Sequence, residues 1–490
     1  MTINTLGDEV LLEIFAFCLV QADKDPHLHM KQWRALADVC QRWKQVICES
    51  PRYLDLQIYC SNGTDLTKNL NCWPELPISL SYRVPENEED PIALLKKRDR
   101  VRFVRLDITS RSSLKKVAAA MLEPFPVLTH LEISGCRGVP VLPSEFMGMS
   151  APRLEHLRLD RIPFPGLPTL LLSAHNLVFL RLDNLHLTGY ISPEAMVEGL
   201  ATLTRLKMLT INFIFSHSPS EQMRTHPDLP VRAVLSELTA FKYRGSIEYL
   251  EDLVAIIDAP QLYEVKIGLD QLDPESEPLE IPQLSSFLSR ANPALAENLR
   301  FTRAQVVFHN EDVDIVLDRF DRANVRVGPH RPYISLSFSS KWSNSFEWSS
   351  SHMTHVRHVL EQIFALSSDV VHLYIHVSDN HPSWDRKADE LSWAGICSLF
   401  DSVRTLHLSG SWASQYARAL PEGAWVLQDF PSLHSLLLSG DDDLSEHADQ
   451  IEAFGSSRKR YGRPVVIKST SFDLPSECNY TPLLFDNDNG

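Results

Sequence analysis

Leu128-Thr129-His130-Leu131-Glu132-Ile133 is followed 26 residues later by Leu154-Glu155-His156-Leu157-Arg158-Leu159, and 23 residues after that by Leu177-Val178-Phe179-Leu180-Arg181-Leu182. Each stretch reads as an apolar residue, two others, an apolar residue, one other, and a last apolar residue. The last two apolar positions alternate, which places both on one face of an extended chain. Phe103, Leu106 and Ile108 fit the same order, as do Leu206, Leu209 and Ile211, so five starts are spaced 25, 26, 23 and 29 residues apart. Looser copies begin at Leu238, Leu262, Val370, Val403 and Leu433. A period in this range marks stacked units, none of which buries its apolar face alone.

Several intervals have room for a helix. Ser192-Pro193-Glu194 is a helix start, with Met196, Val197, Leu200 and Leu203 behind it. Leu250, Leu253, Val254 and Ile257 repeat the spacing, and Met353, Val356, Leu360, Ile363 and Phe364 repeat it again. Strand–helix units of this length stack with their strands in one parallel sheet. Residues 101–440 therefore resemble leucine-rich repeats, and the expected class is α/β: an irregular solenoid, a horseshoe with parallel strands. The family's Asn or Cys three positions past the strand is matched at Cys136, while Ile162, Leu185 and Ile214 stand there in other repeats. Between Ile267 and Val370 the register is poor. Tyr333, Leu336 and Phe338 form one candidate repeat there, and Phe301, Ala304 and Val306 a weaker one. Expanded convex segments are expected in that stretch. The competing reading is a non-solenoid α/β domain with coincidental leucines.

The first 55 residues form a separate small helical unit. Thr5-Leu6-Gly7-Asp8 can start a helix, with Asp8, Glu9 and Glu13 suited to its positive end. Val10, Leu11, Ile14, Phe15, Cys18 and Leu19 follow at helical spacing. A polar stretch with Pro26 interrupts, and Trp33, Leu36, Val39, Cys40, Trp43, Val46 and Ile47 resume the period until Ser50-Pro51. So small a unit carries more apolar surface than it can bury on itself. It is either a helical cap on the larger fold or a docking module.

Leu6-Gly7-Asp8-Glu9-Val10-Leu11-Leu12-Glu13-Ile14-Phe15 resembles the opening of an F-box, and Val39-Cys40-Gln41-Arg42-Trp43 resembles its second half. Two features depart from that family: Gly7 stands where proline is usual, and the 21 positions from Cys18 to Val39 are about twice the expected connection. The resemblance implies that Leu6, Gly7, Val10, Ile14, Phe15, Val39, Cys40 and Trp43 contact a Skp-family adaptor and, through it, a cullin.

The remaining segments read less clearly. In residues 56–100, Trp73-Pro74, Leu76-Pro77 and the acidic run from Glu86 to Asp90 suggest an irregular connector. Residues 441–490 begin with three aspartates, read as a tail, and are expected to be disordered at their very end. Basic runs at Lys96-Lys97-Arg98-Asp99-Arg100 and Arg458-Lys459-Arg460 read as solvated charge, with a nuclear import signal as the other possibility.

Composition narrows the function. The 490 residues carry a formal charge of −16, which argues against a broad nucleic-acid surface. The apolar run from Val10 to Val20 is broken by Glu13 and precedes the first basic residue, Lys24, which argues against a secretory signal. No stretch is apolar enough for a membrane span, and the eight cysteines form no CxxC pair. Reduced thiols and a cytoplasmic or nuclear location are expected.

No phosphate-binding glycine motif, nucleophile elbow or zinc-like spacing occurs. His352, His355 and His358 drift around a helix and read as a polar face rather than a metal site. No catalytic residue, metal or cofactor is expected. The two resemblances together imply a substrate receptor of a Skp–cullin–F-box ubiquitin ligase, the repeats holding a protein target. The alternative is a repeat scaffold with no ligase role.

The residue between the last two apolar positions of each repeat points away from the core, toward the concave side of such a horseshoe. Arg158, Arg181, Lys242 and Lys266 occupy that position. They form either a basic stripe for an acidic or phosphorylated target segment, or a set of cations neutralised by Asp160 and Asp183.

Overall fold

The computed structural model describes residues 6–20, 26–63, 76–86, 89–136, 138, 140–214, 232–270, 279–291, 301–308, 312–318, 333–339, 350–364, 370–377, 399–410, 430–439 and 448–469. The chain divides into two units, Met1–Ile211 and Asn212–Gly490, each of class α/β.

The first unit opens with three helices, α1 (Asp8–Val20), α2 (Pro26–Ala37) and α3 (Gln41–Glu49). Strands β1 (Ile58–Ser61), β2 (Ile78–Val84), β3 (Val101–Ile108), β4 (His130–Gly135), β5 (His156–Asp160), β6 (Phe179–Leu185) and β7 (Met208–Phe213) then lie side by side in chain order. The pairings from β1 through β6 are parallel. Short helices fill the intervals: α4 (Asp90–Leu95), α5 (Arg111–Ala120), α6 (Leu167–Leu171) and α7 (Pro193–Leu200).

The repeated sequence unit has a simple physical basis. Its first apolar residue is not in the strand but in a tight turn before it. The amides of Leu128, Leu154, Leu177 and Leu206 donate to the carbonyls of Phe125, Ala151, Ala174 and Leu203, each three residues back. That turn buries the leucine and aims the chain into the strand. The next two apolar residues stack in register, Leu131 beside Leu157 beside Leu180, and Ile133 beside Leu159 beside Leu182, all buried. Ser110 and Ser192 cap α5 and α7 by accepting from the amides of Ser113 and Ala195.

Two expectations need correction. Residues 56–100 are not an irregular connector, because β1, β2 and α4 lie within them. Ile78, Leu80, Tyr82 and Val84 alternate and are buried, a strand pattern overshadowed by the prolines and acids around it. The segment after 440 likewise contains α11 (Ala448–Arg460) and β18 (Val466–Ser469). The end of the tail, 470–490, and Thr5 lie outside the described residues.

In the second unit, β8 (Ala233–Val234) and β10 (Ile257–Asp258) form a small parallel pair. The main strands are β9 (Ala240–Gly245), β11 (Glu264–Asp270), β12 (Arg303–Phe308), β13 (Asp312–Asp318), β14 (Tyr333–Ser339), β15 (His372–Val377), β16 (Thr405–Gly410), β17 (Ser435–Ser439) and β18. Helices α8 (Ile247–Ala255), α9 (Pro282–Ala291) and α10 (Ser350–Phe364) lie between them.

The spatial order is β9-β11-β14-β13-β12-β15-β16-β17-β18. The strands expected at Tyr333 and near Phe301 are present as β14 and β12. Between them β13 pairs antiparallel with both neighbours, so this part of the sheet departs from the all-parallel expectation. The poor register there arises in the sheet itself. Asp312-Val313-Asp314-Ile315-Val316-Leu317-Asp318 alternates but lacks the preceding apolar turn residue of the repeats.

Candidate functional site

Two surfaces of the first unit carry most of the residues expected at a site. The first is the helical unit. Helix α1 is apolar on two sides. Leu11, Phe15 and Leu19, four residues apart, are buried, and Phe15 meets Trp43 of α3 edge-on with centroids 4.8 Å apart. Val10, Ile14 and Phe17 form a second stripe that faces out, with Phe17 75% exposed. Val39 and Cys40, just before α3, are exposed too. Arg42 brings that end of α3 to the start of α1. Its guanidinium donates to the Asp8 carboxylate at 2.7 Å and to the Leu6 carbonyl at 2.5 Å.

The adaptor-contact residues expected from sequence thus separate into two groups. Val10, Ile14, Val39, Cys40 and Gly7 are exposed, and Leu6 and Trp43 are partly so. Phe15 is fully buried and belongs to the unit's own core. Phe17, three positions after Ile14, continues the outer stripe, whereas the residues that carry the sequence pattern run through the buried Phe15 and the exposed Cys18.

The helical unit is held against the sheet. On α2, Met30, Trp33 and Ala37 are buried, the Met30 sulfur accepts from the Tyr59 amide of β1 at 3.2 Å, and the His27 and Tyr59 rings touch at 5.3 Å. Arg102 on β3 reaches back to Asp55 at 2.6 Å. Cys60 is enclosed at this seam, and burial pushes its thiol up to about 11. It is an inert packing group rather than a reactive one.

The second surface is the sheet face opposite the buried leucines. In register across β3 to β6 stand Phe103, His130, His156 and Phe179, then Arg105, Glu132, Arg158 and Arg181. Arg105 and Arg158 both bind Glu132, at 2.7 and 3.1 Å. Arg158 and Arg181 both bind Asp183, at 3.4 and 2.5 Å. Asp160 accepts instead from Arg161 at 3.0 Å and from Asn184 at 2.7 Å. Burial holds the Asp183 carboxyl above its ordinary range, with the Arg181 and Arg158 charges opposing that rise.

In the second unit Lys242 and Lys266 share Glu264, each at 3.3 Å. All four expected target-binding cations therefore have a carboxylate beside them. The partners are Glu132, Asp183 and Glu264 rather than the Asp160 and Asp183 expected. Glu132 meets Arg105 and Arg158, and Glu264 meets Lys242, across neighbouring strands, pairings that register decides, whereas Glu264 and Lys266 lie two positions apart on one strand.

Arg458 in α11 is buried, not solvated as its basic run suggested. Its guanidinium donates to the carbonyls of Leu433, Phe430 and Arg463 at 3.1 to 3.5 Å. His358 bonds Glu280 at 2.9 Å, while the side chains of His352 and His355 lie outside the described residues. Among the described residues no group of three His, Cys, Asp or Glu side chains could hold a metal, and no helix is long and apolar enough to cross a membrane. No family model matches the chain, and no curated protein matches it.

Proposed function

We propose that this chain is the target receptor of a Skp–cullin–F-box ubiquitin ligase, with α1 and α3 docking on the adaptor and the repeated strands holding a protein target. The observation that carries this reading is the outer stripe Val10, Ile14 and Phe17, on a helix whose opposite stripe is already buried. A helix that served only as a cap would need one apolar face. Burying a side chain of this kind stabilises a complex by about 1.5–3 kcal/mol, so three aligned ones can anchor a partner helix or groove. The residue order from Leu6 to Phe15 and from Val39 to Trp43 supports the same reading.

The mounting of α2 on β1 suits a receptor, because it gives an adaptor and a target a fixed separation. The chain makes and breaks no bond in this reading; it raises the effective concentration of the target. The test is co-expression with a Skp-family adaptor followed by size-exclusion chromatography. A stoichiometric complex supports the receptor, and separate elution of two folded proteins supports a repeat scaffold with no ligase role.

A further inference from the structure

Four rings run in line along the open face of the first unit. Phe103, His130, His156 and Phe179 are register partners on β3 to β6, with centroid spacings of 5.6, 4.2 and 5.6 Å. The two imidazoles lie nearly parallel, at 11°, while the outer pairs tilt by 32° and 25°. The row thus has two wider, splayed gaps, Phe103–His130 and His156–Phe179, flanking one tight pair. All four side chains are partly exposed.

The row is uncharged. Burial, then the neighbouring His156 and Arg102, pushes His130 down to about 4, and burial also lowers His156. Beside the row Arg105, Glu132, Arg158, Asp183 and Arg181 form one chain of ion pairs, three arginines against two carboxylates. An incoming carboxylate or phosphate meets Glu132 and Asp183 wherever it meets Arg158. The acids leave this chain of ion pairs one net positive charge, and the chemistry that the ring row adds is aromatic rings and imidazole nitrogens, of which His130 Nδ1 already bonds the Thr129 hydroxyl at 2.8 Å.

The gap spacing suggests the ligand's conformation. The two gaps lie two strand steps apart, roughly 9.6 Å. A polyproline II helix repeats every three residues, about 9.3 Å. A segment in that conformation crossing the strands would set residues i and i+3 over the two gaps. Its carbonyls make no internal hydrogen bonds, so they are available to imidazole donors, and its preset backbone loses little entropy on docking. We propose that Phe103, His130, His156 and Phe179 form a docking row for an uncharged, proline-rich segment of a partner protein. This inference does not depend on adaptor binding.

The test titrates the full chain into fluorescein-labelled decaproline, read by anisotropy at low and high salt, beside a phosphoserine-containing acidic peptide of the same length. Decaproline is expected to bind with little salt dependence. His130→Ala with His156→Ala should weaken it by about tenfold or more. His130→Phe with His156→Phe, which keeps the ring row but loses the imidazole donors, should bind more weakly than the unaltered chain and more tightly than the double alanine variant, while Arg158→Gln with Arg181→Gln should retain binding. Circular dichroism melting keeps a folding defect distinct from a binding defect. No binding of decaproline by the unaltered chain overturns the proposal, as does equal loss in the arginine variants. Preferential, salt-sensitive capture of the acidic peptide overturns it in favour of a basic receptor stripe.

Discussion

The ring of Phe15 meets that of Trp43 edge-on at 4.8 Å, while the residue beside it, Ile14, faces the other way and is 37% exposed. Adjacent positions of α1 therefore do different work, and substitution should separate them. Phe15→Ala opens a cavity between helices and is expected to cost the first unit about 3–5 kcal/mol. Ile14→Asp and Phe17→Ala change surface positions and should move stability by no more than about 0.5 kcal/mol. Both surface variants should nevertheless lose adaptor in a pull-down, Ile14→Asp most completely, because docking would desolvate its carboxylate. Adaptor retained by a folded Ile14→Asp, Phe17→Ala double variant would remove the receptor reading.

Gly7 precedes α1, and its carbonyl accepts the first helical bond, from Leu11 at 3.1 Å. A Cβ placed there meets nothing within 4 Å. Gly7→Pro is therefore expected to fit and to restrict the unbound chain, stabilising the helix start by about 0.4–1 kcal/mol. Isothermal titration with adaptor should show equal or tighter binding. Weaker binding would mean that the entry to α1 needs conformations proline cannot reach.

The regular strands and the apolar character of α1 were legible in sequence, because period 2 and period 3.6 are local signals. Spacing put Val10 and Ile14 in one wide stripe with Leu11 and Phe15, without separating the outer side from the inner. Phe15 could not be assigned to the inside, because α1 is apolar on two sides and only the packing of Trp43 decides between them. Strand β13 was hidden because its antiparallel pairing comes from chain reversal, not from the repeat. The pairing of Arg158 with Glu132 was hidden because the two are 26 residues apart and meet only through strand register.

Helix α9 has its first amides satisfied from outside. Glu251 on α8 accepts from the backbone N–H groups of Gln283 and Leu284 at 2.8 and 2.9 Å. Glu251→Ala leaves both amides without that acceptor and is expected to cost about 0.5–2 kcal/mol, the range of a lost cap. Glu251→Gln keeps an acceptor oxygen and should cost less. Denaturant titration ranks the two variants, and equal losses would assign the effect to packing rather than to capping.

Arg458 offers a sharper case, since its guanidinium is enclosed by main-chain carbonyls of Phe430, Leu433 and Arg463. Arg458→Lys keeps the charge but lacks the planar fork that reaches several acceptors at once. Arg458→Met keeps the length and leaves the carbonyls unsatisfied, which is expected to cost about 3 kcal/mol or more. Hydrogen exchange of the β17 and β18 amides should report both losses locally. Protection unchanged in Arg458→Met would mean that those carbonyls find other donors.

Asp183 carries the pH-dependent expectation. Its carboxyl lies above the ordinary range because it is buried, and Arg181 is the strongest opposing charge. Arg181→Gln removes that opposition, so the folded-state value rises further above the unfolded one, about 3.9. A carboxyl raised in the folded state contributes stability that is present below the unfolded value and lost as pH climbs through the folded one. Arg181→Gln should therefore be less stable than the unaltered chain at neutral pH, and the gap should close as the solution is acidified toward pH 4. His130 and His156 are lowered in both proteins, so their own acid destabilisation cancels in the difference. Adding Asp183→Asn to Arg181→Gln should abolish the pH dependence of the gap, because the titrating group is gone while its shape remains. Stability differences measured by urea titration between pH 7 and pH 4 decide the matter. A gap that stays constant over that range would place the contribution of Arg181 in its packing, and not in the charge it holds against Asp183.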